Sequence, residues 1–289
     1  MNAPTKPNLI ALIDGSIYAA SVCEHAAWLA TRLGARTTLL HVLGRRETQS
    51  TPADRSGAIK LGARSSLLAE LAAHDEERAK LAQKRGRAIL EDAAAILREA
   101  GVEDVATRLR TGDLLETLAD VEADADMIVI GKRGEAADFA TGHLGSNLER
   151  IARASHRPLF VAARAFKPIE RVLIAFDGGP SSRKAADYVA RSPLFQGLGV
   201  RLLSVGTETS AIRRALDEAA YHLRHSGIET EIDIVSGQPE GAIAEIVDAG
   251  GADLLVMGAY GHSRIRTLII GSTTAEMLRS CRVPVMLFR

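Results

Sequence analysis

Asp253-Leu254-Leu255-Val256-Met257-Gly258-Ala259-Tyr260-Gly261 runs on as His262-Ser263-Arg264-Ile265-Arg266-Thr267-Leu268-Ile269-Ile270-Gly271-Ser272-Thr273-Thr274. Four apolar residues, Leu254 to Met257, lead straight into Gly258, the pattern of a buried parallel strand ending in a turn. Gly261 follows after two residues, and nine more separate it from Gly271-Ser272, where a new helix is predicted to open. Thr273, with Glu276 three positions on, predicts a capping box at that start. A helix N-terminus presents unpaired N–H groups and a positive dipole, and glycines beside it let an anion reach the backbone. The stretch therefore predicts an anion-holding loop at the end of a buried strand.

The stretch has a counterpart earlier in the chain. Asp126-Met127-Ile128-Val129-Ile130-Gly131-Lys132-Arg133-Gly134 matches Asp253 to Gly261, Gly145-Ser146 matches Gly271-Ser272, and Pro158 matches Pro284. Further upstream, Ile10-Ala11-Leu12-Ile13-Asp14-Gly15-Ser16 matches Leu173-Ile174-Ala175-Phe176-Asp177-Gly178-Gly179. Such a repeat predicts two copies of one fold in tandem, with the first copy roughly 36 residues longer between its first and fourth strands. The units are placed at 1–166 and 167–289, joined near Ala165-Phe166-Lys167-Pro168, with a helical insert at about 45–100 in the first.

In the first unit, strands are expected at 8–13, Thr37 to Val42, Val105 to Thr111, Met127 to Ile130 and Leu159 to Ala163. Val22, Ala26, Leu29 and Leu33 share one face of a helix that Gly34 ends. Residues 44–61 read as a loop, and 65–100, rich in Ala, Leu, Glu, Arg and Lys, as helix divided near Gly86. Asp113 is a predicted N-cap, and Ser146 with Glu149 forms a second predicted capping box. In the second unit strands fall near 171–176, 200–205, 228–235, 253–257 and 283–288. Ile228, Thr230, Ile232 and Ile234 alternate with acids, the pattern of an edge strand with one wet face. Strands alternating with helices predict an α/β fold, with a parallel sheet between two helical layers. In such sheets ligands bind beyond the carboxyl ends of the strands, at the switch point, so Asp177 and Gly258 are expected at one crevice.

Composition narrows the function classes. At 289 residues the chain has room for about two domains. Lys+Arg and Asp+Glu balance at 36 each, which leaves no net charge to favour nucleic acid or acidic lipid. Cys23 and Cys281 form neither a CxxC pair nor a disulfide framework, as expected in a reducing compartment. The start MNAPTKPN has no apolar signal core, and no run of about 18 apolar residues occurs. A cytoplasmic protein that is not membrane-bound is expected.

Gly-x2-Gly-x9-Gly-Ser resembles the nucleotide-binding signature of the universal stress protein family, and nearly the whole chain resembles a tandem member of it. The resemblance implies two Rossmann-like units of the adenine nucleotide alpha hydrolase-like type, each a five-stranded parallel sheet of order 3-2-1-4-5. It also implies a pseudo-dimer in which the fifth strands, Leu159–Ala163 and Val283–Phe288, pair. For function it implies an adenine nucleotide, ATP with Mg2+ as companion, bound by a stress-response regulator or adaptor. By the same resemblance Phe176 and Asp177 end strand one near the nucleoside, the backbone of Val205 recognises adenine, and Met257 and Gly258 follow along the nucleoside. Gly261, Gly271, Ser272, Thr273 and Thr274 would hold the phosphates. The matching positions in the first unit are Asp14, Val42, Gly131, Gly134, Gly145 and Ser146. That unit departs from the pattern: Gly134 and Gly145 enclose ten residues, Leu148 stands where the second unit has Thr274, and Glu135 and Asp138 add negative charge.

Other readings are weaker. Asp177-Gly178-Gly179-Pro180-Ser181-Ser182 approaches the Ser-Gly-Gly-x-Asp-Ser loop of ATP pyrophosphatases, but a leading carboxylate would repel pyrophosphate, and no Walker-type loop is present. His222 and His225 lie three apart on a predicted helix without a suitably spaced acidic or cysteine partner, so solvated histidines are expected there. His143 and His262 have no base or orienting partner in the sequence, and no residue is poised to activate water, so at most weak ATP hydrolysis is expected. Cys281 reads as core. A nucleotide-independent interaction module remains the competing reading. The protein partner and the oligomeric state, a homodimer included, are left open.

Overall fold

Each apolar run becomes a strand, and each amphipathic stretch becomes a helix laid on one face of the resulting sheet. The computed structural model describes residues 6–44, 61–132, 146–259 and 272–289, with the side chains of 61–69, Ser146 and Ser272 outside that description. In the first unit the order is β1 (Asn8–Leu12), α1 (Ala19–Leu33), β2 (Arg36–Leu43), α2 (Leu61–Glu99), β3 (Val105–Thr111), α3 (Leu114–Glu122), β4 (Met127–Gly131), α4 (Ser146–Ala154) and β5 (Leu159–Ala162). The second unit runs β6 (Arg171–Ala175), α5 (Pro180–Arg191), a 3-10 turn (Pro193–Phe195), β7 (Gly199–Val205), α6 (Ser210–His225), β8 (Thr230–Val235), α7 (Pro239–Asp248), β9 (Leu254–Gly258), α8 (Ser272–Ser280) and β10 (Val285–Phe288).

The strands form a ten-stranded sheet in the order β3-β2-β1-β4-β5-β10-β9-β6-β7-β8. Within each unit the order is thus 3-2-1-4-5 and every pairing is parallel. The units meet where β5 pairs antiparallel with β10, Phe160 opposite Met286 and Val161 opposite Val285, which is the expected pseudo-dimer. Pairing these two apolar edges removes an aggregation hazard from both.

Alternation along each strand sorts the core into two layers. Leu9 and Ala11 face one layer, with Leu29 of α1, Leu97 of α2, Val189 of α5 and Leu216 of α6. Ile10 and Leu12 face the other, with Leu118 of α3, Ile151 of α4, Ile243 of α7 and Leu278 of α8. Phe160, Met286 and Phe288 belong to the first layer, so one continuous core crosses the seam.

Predicted caps and edges meet three outcomes. Gly34 ends α1 in the left-handed region, with φ at 60°. Asp113 caps α3, its Oδ1 accepting from the N–H of Leu115 at 2.8 Å and of Glu116 at 3.3 Å. β8 lies at the sheet edge as expected, beginning at Thr230. Gly86, in contrast, does not divide the insert, because α2 is continuous for 39 residues. A Cβ there would lie 2.8 Å from Leu109 Cδ1 and 2.9 Å from His41 Cδ2, so the glycine lets the helix approach the sheet. The Thr273–Glu276 capping box is also corrected. α8 already begins at Ser272, Thr273 Oγ1 donates to Glu240 Oε1 at 2.7 Å, and Glu276 pairs with Arg279 at 2.7 Å. In α4, which begins at Ser146, Glu149 pairs with Arg153. Of the expected loop at 44–61, residues 45–60 lie outside the described residues.

Cations lock the seam from both sides. Lys132, just past β4, donates to the carbonyl of Cys281 at the end of α8. Arg289, just past β10, donates to the carbonyl of Arg153 in the last turn of α4 at 2.8 Å. Each unit thus places a positive charge on the carbonyl end of the other's last helix, where the helix dipole favours one. Arg32 of α1 adds a bond to the carbonyl of Leu194 in the 3-10 turn at 2.6 Å.

Candidate functional site

Parallel pairing fixes what stands at the carboxyl edge of the second unit. Ala175 on β6 is in register with Leu203 on β7 and with Met257 on β9. Asp177 and Val205 each follow two residues later and Gly258 one, so the three reach the same edge of adjacent strands, spaced about 4.8 Å apart. The register gathers three of the expected site residues at one crevice. In the first unit Leu12 pairs with Leu40 and Ala11 with Val129, which brings Asp14, Val42 and Gly131 to the equivalent positions.

Asp177 organises the turn from β6 into α5. Its Oδ1 accepts the N–H of Gly179 at 2.8 Å and the hydroxyl of Ser182 at 2.6 Å, and Gly178 adopts a φ of 73°. At Gly258 the bare backbone serves α5: a Cβ there would lie 2.7 Å from Ser181 Cβ and 3.1 Å from the Ser182 nitrogen. The same lack of a side chain leaves the strand end low at the crevice floor. Phe176 donates its N–H to the Leu203 carbonyl at 2.8 Å and buries its ring in the core, so only its backbone lies at the strand end. Met257 is buried in the opposite layer. Val205 is half-buried and pairs with Val235, whose carbonyl accepts the next N–H, from Gly206, at 2.8 Å.

The start of α8 is pinned to the crevice from two directions. Thr274, 3% exposed, donates its hydroxyl to the carbonyl of Ala259 at 3.2 Å, fastening the helix to the end of β9. Its one hydroxyl proton is committed there, leaving only lone pairs toward any ligand. Thr273 ties α8 to α7 through Glu240, whose carboxyl is held below the usual carboxylate range by the Thr273 hydroxyl and its own backbone N–H. Glu240 and Ser182 were not among the sequence-predicted site residues. A signal for Glu240 existed in Pro239-Glu240, proline and acid opening a helix beside the sheet's carboxyl edge.

The first crevice is built differently. Asp14 Oδ1 accepts from the N–H of Ser16 at 3.0 Å, and Leu148 is core where Thr274 has its hydroxyl. Val42 is half-buried opposite Arg110, and Gly131 is buried against Ala162. Burial pushes the pKa of the Lys132 ammonium below its ordinary value, and its hydrogen bond is donated to the Cys281 carbonyl of the other unit. Gly134, Gly145, Gly261 and Gly271, with His143, His262, Glu135 and Asp138, lie outside the described residues. Tyr221 stacks on His225 at 5.6 Å on the outer face of α6, and among the described residues no group of three or more potential metal ligands occurs. Burial raises the Cys281 thiol above its ordinary value, which disfavours the reactive thiolate.

The two units have a counterpart among known proteins: the model of the universal stress protein family matches residues 7–163 and again 168–289. The chain belongs to the universal stress protein family. A universal stress protein of Synechocystis sp. is 39% identical over 286 residues, covering 98% of this chain and 99% of that one. One from Mycobacterium bovis is 26% identical over 238 residues, covering 72% and 78%. The crystal structure of a universal stress protein from Archaeoglobus fulgidus superposes with a TM-score of 0.73 at 19% identity, covering 99% of this chain and 97% of that chain, a likeness of fold. This universal stress protein thus repeats its family's fold twice in one sheet. Among its described residues no helix is long and apolar enough to cross a membrane.

Proposed function

We propose that this universal stress protein binds an adenine nucleotide, ATP with Mg2+, at the carboxyl edge of its second unit, and that occupancy sets its conformation or partner binding in a cytoplasmic stress response. The units are taken as 1–166 and 167–289. The observation that supports the reading most is the register that brings Asp177, Val205 and Gly258 to one crevice beside the start of α8. The backbone at Val205 faces the base, Met257 and Gly258 pass along the nucleoside, and Gly261, Gly271, Ser272 and Thr273 supply backbone N–H groups to the phosphates, with the Ser272 hydroxyl beside them. Thr274 fixes the helix that carries them. In the first unit Lys132 is engaged across the seam and Leu148 replaces the threonine, so that crevice is the weaker nucleotide site.

Two measurements test this. With micromolar affinity and millimolar ATP, mass action stabilises the fold by about 4 kcal/mol, a melting shift of roughly 8–16 °C. A shift below about one degree would favour a nucleotide-independent interaction module. Gly271→Asp sets a carboxylate and a Cβ where the phosphate needs bare backbone, and is expected to remove most ATP binding. Gly145→Asp is expected to remove less. Equal losses in titrations of the two folded variants would contradict the ranking of the sites.

A further inference from the structure

The two crevices differ at the end where a base would lie. Ile13 donates its N–H to the Leu40 carbonyl at 2.9 Å, and Gly112 donates to the Leu43 carbonyl at 3.0 Å. Leu40 therefore faces β1 and Leu43 faces β3, because backbone groups alternate along a strand between its two neighbours. Val42, two residues beyond Leu40, turns its N–H and C=O toward β1, which has already ended. The second unit repeats this. Phe176 donates to Leu203 at 2.8 Å and Gly206 to Val235 at 2.8 Å, so Val205 faces the space past β6. One backbone donor beside one acceptor suits either purine, since adenine offers N6–H with N1 and guanine offers N1–H with O6. The backbone alone does not choose between them.

The neighbouring edge strands do differ. Val205 is in register with Val235, half-buried against the second core layer, whereas Val42 is in register with Arg110, which is exposed. Residues in register on parallel strands share a face, and an extended arginine reaches past Val42, one strand spacing of about 4.8 Å away. Two residues earlier the pairs are Leu203 with Asp233 and Leu40 with Arg108. On β8 the acids are neutralised, as Arg201 meets Glu231 at 3.2 Å and Asp233 at 3.4 Å. On β3 neither Arg108 nor Arg110 has an ion pair or hydrogen bond among the described residues. The edge beside the first crevice thus carries two unpaired guanidinium groups where the second carries paired acids.

We propose that the first crevice selects a guanine nucleotide, Arg110 donating from both arms of its fork to O6 and N7 of the base, while the second takes adenine. This selection rests on the reading that a nucleotide base meets the backbone of Val42 and of Val205. A guanidinium has five N–H donors and no acceptor. It matches the two acceptors of guanine and confronts the N6 amino group of adenine with another donor. O6 has two lone pairs, one for the Val42 N–H and one for Arg110. Val235 brings no donor to the second crevice, so nothing at that position penalises adenine. The base contact also offsets the weaker phosphate end of the first crevice, where Lys132 is engaged across the seam and Leu148 replaces the threonine.

Equilibrium titration of the full chain with labelled GTP and with labelled ATP, Mg2+ present, tests this. GTP is expected to bind a site from which excess ATP displaces it poorly, and to bind Gly271→Asp as tightly as the wild type. Arg110→Val, copying the second unit, is expected to weaken GTP binding about tenfold or more. Arg110→Lys keeps the charge but loses the fork, and is expected to weaken it nearly as much. Circular dichroism checks that each variant is folded, as expected for an exposed position on an edge strand. If ATP binds and GTP does not, the proposal fails while the nucleotide reading stands; if neither binds, both fail. GTP binding that is lost in Gly271→Asp lies in the second crevice and overturns the proposal. So does GTP binding that is indifferent to Arg110→Val or fully retained by Arg110→Lys.

Discussion

His25 is 0% exposed, on the stripe of α1 that carries Val22, Ala26 and Leu29, yet it is a titratable group. The Ser21 carbonyl 2.7 Å from Nδ1 can only accept, so Nδ1 carries the proton. The Phe160 and Phe166 rings lie 5.5 and 5.1 Å away, and Nε2 has no hydrogen-bond partner among the described residues. Burial drives the imidazole down from 6.5 to about 4, the Ser21 backbone bond opposing. The unfolded chain therefore takes up a proton at higher pH than the folded one. Stability from this group is complete above about pH 6.5 and is lost progressively as pH falls to about 4. The loss is about 3 kcal/mol. Urea unfolding across this window should show a flatter pH dependence for His25→Asn than for the wild type, by about that amount. Parallel curves would overturn the assignment. The helical spacing marks position 25 as inward-facing, but the rings that enclose it come from β5 and the connecting segment, which no local pattern brings there.

Among the elements, α2 shows where local rules mislead. By propensity alone Gly86→Ala would stabilise a helix by about 1 kcal/mol. The new Cβ would instead meet Leu109 Cδ1 at 2.8 Å and His41 Cδ2 at 2.9 Å, and the His41 ring is held by its 2.7 Å contact to the Ile13 carbonyl. Overpacking of this kind costs about 1–3 kcal/mol. The variant is therefore expected to be destabilised by about 1 kcal/mol in chemical denaturation, and a gain in stability would show that the sheet yields. The glycine was visible in the sequence, but its reason lies on β2 and β3. Thr273 teaches the same lesson at α8: its spacing to Glu276 suggests a cap, while its hydroxyl is taken by Glu240 on a neighbouring helix. Asp113 was legible as a cap, because the N–H groups it accepts from lie within three residues, whereas its ion pair with Arg150 of α4 at 3.0 Å was not.

For the whole molecule, the internal repeat carried most of the architecture, because two copies of one pattern restrict the strand order far more than either alone. The placement of Asp177, Val205 and Gly258 follows from that order. The seam cations Lys132 and Arg289 were not legible, since their acceptors are carbonyls in the other unit. The seam also makes the units interdependent. Residues 167–289 expressed alone would present the edge of β10, where Met286 and Leu287 are 0% and 3% exposed in the intact chain. That fragment is expected to self-associate through this edge in size-exclusion chromatography, and a stable monomer would contradict it.

Because β5 and β10 run in opposite directions, all strands of one unit point against those of the other, and the two crevices open on opposite margins of the sheet. Five strand spacings separate β1 from β6 in the sheet order, about 24 Å at the usual interval. At physiological ionic strength the screening length is about 8 Å. The charge of any anion held in one mouth would therefore be largely screened before it reached the other. Two anions bound at these margins would not repel one another, and any conversation between them would have to be carried by the shifting of packed side chains across the seam.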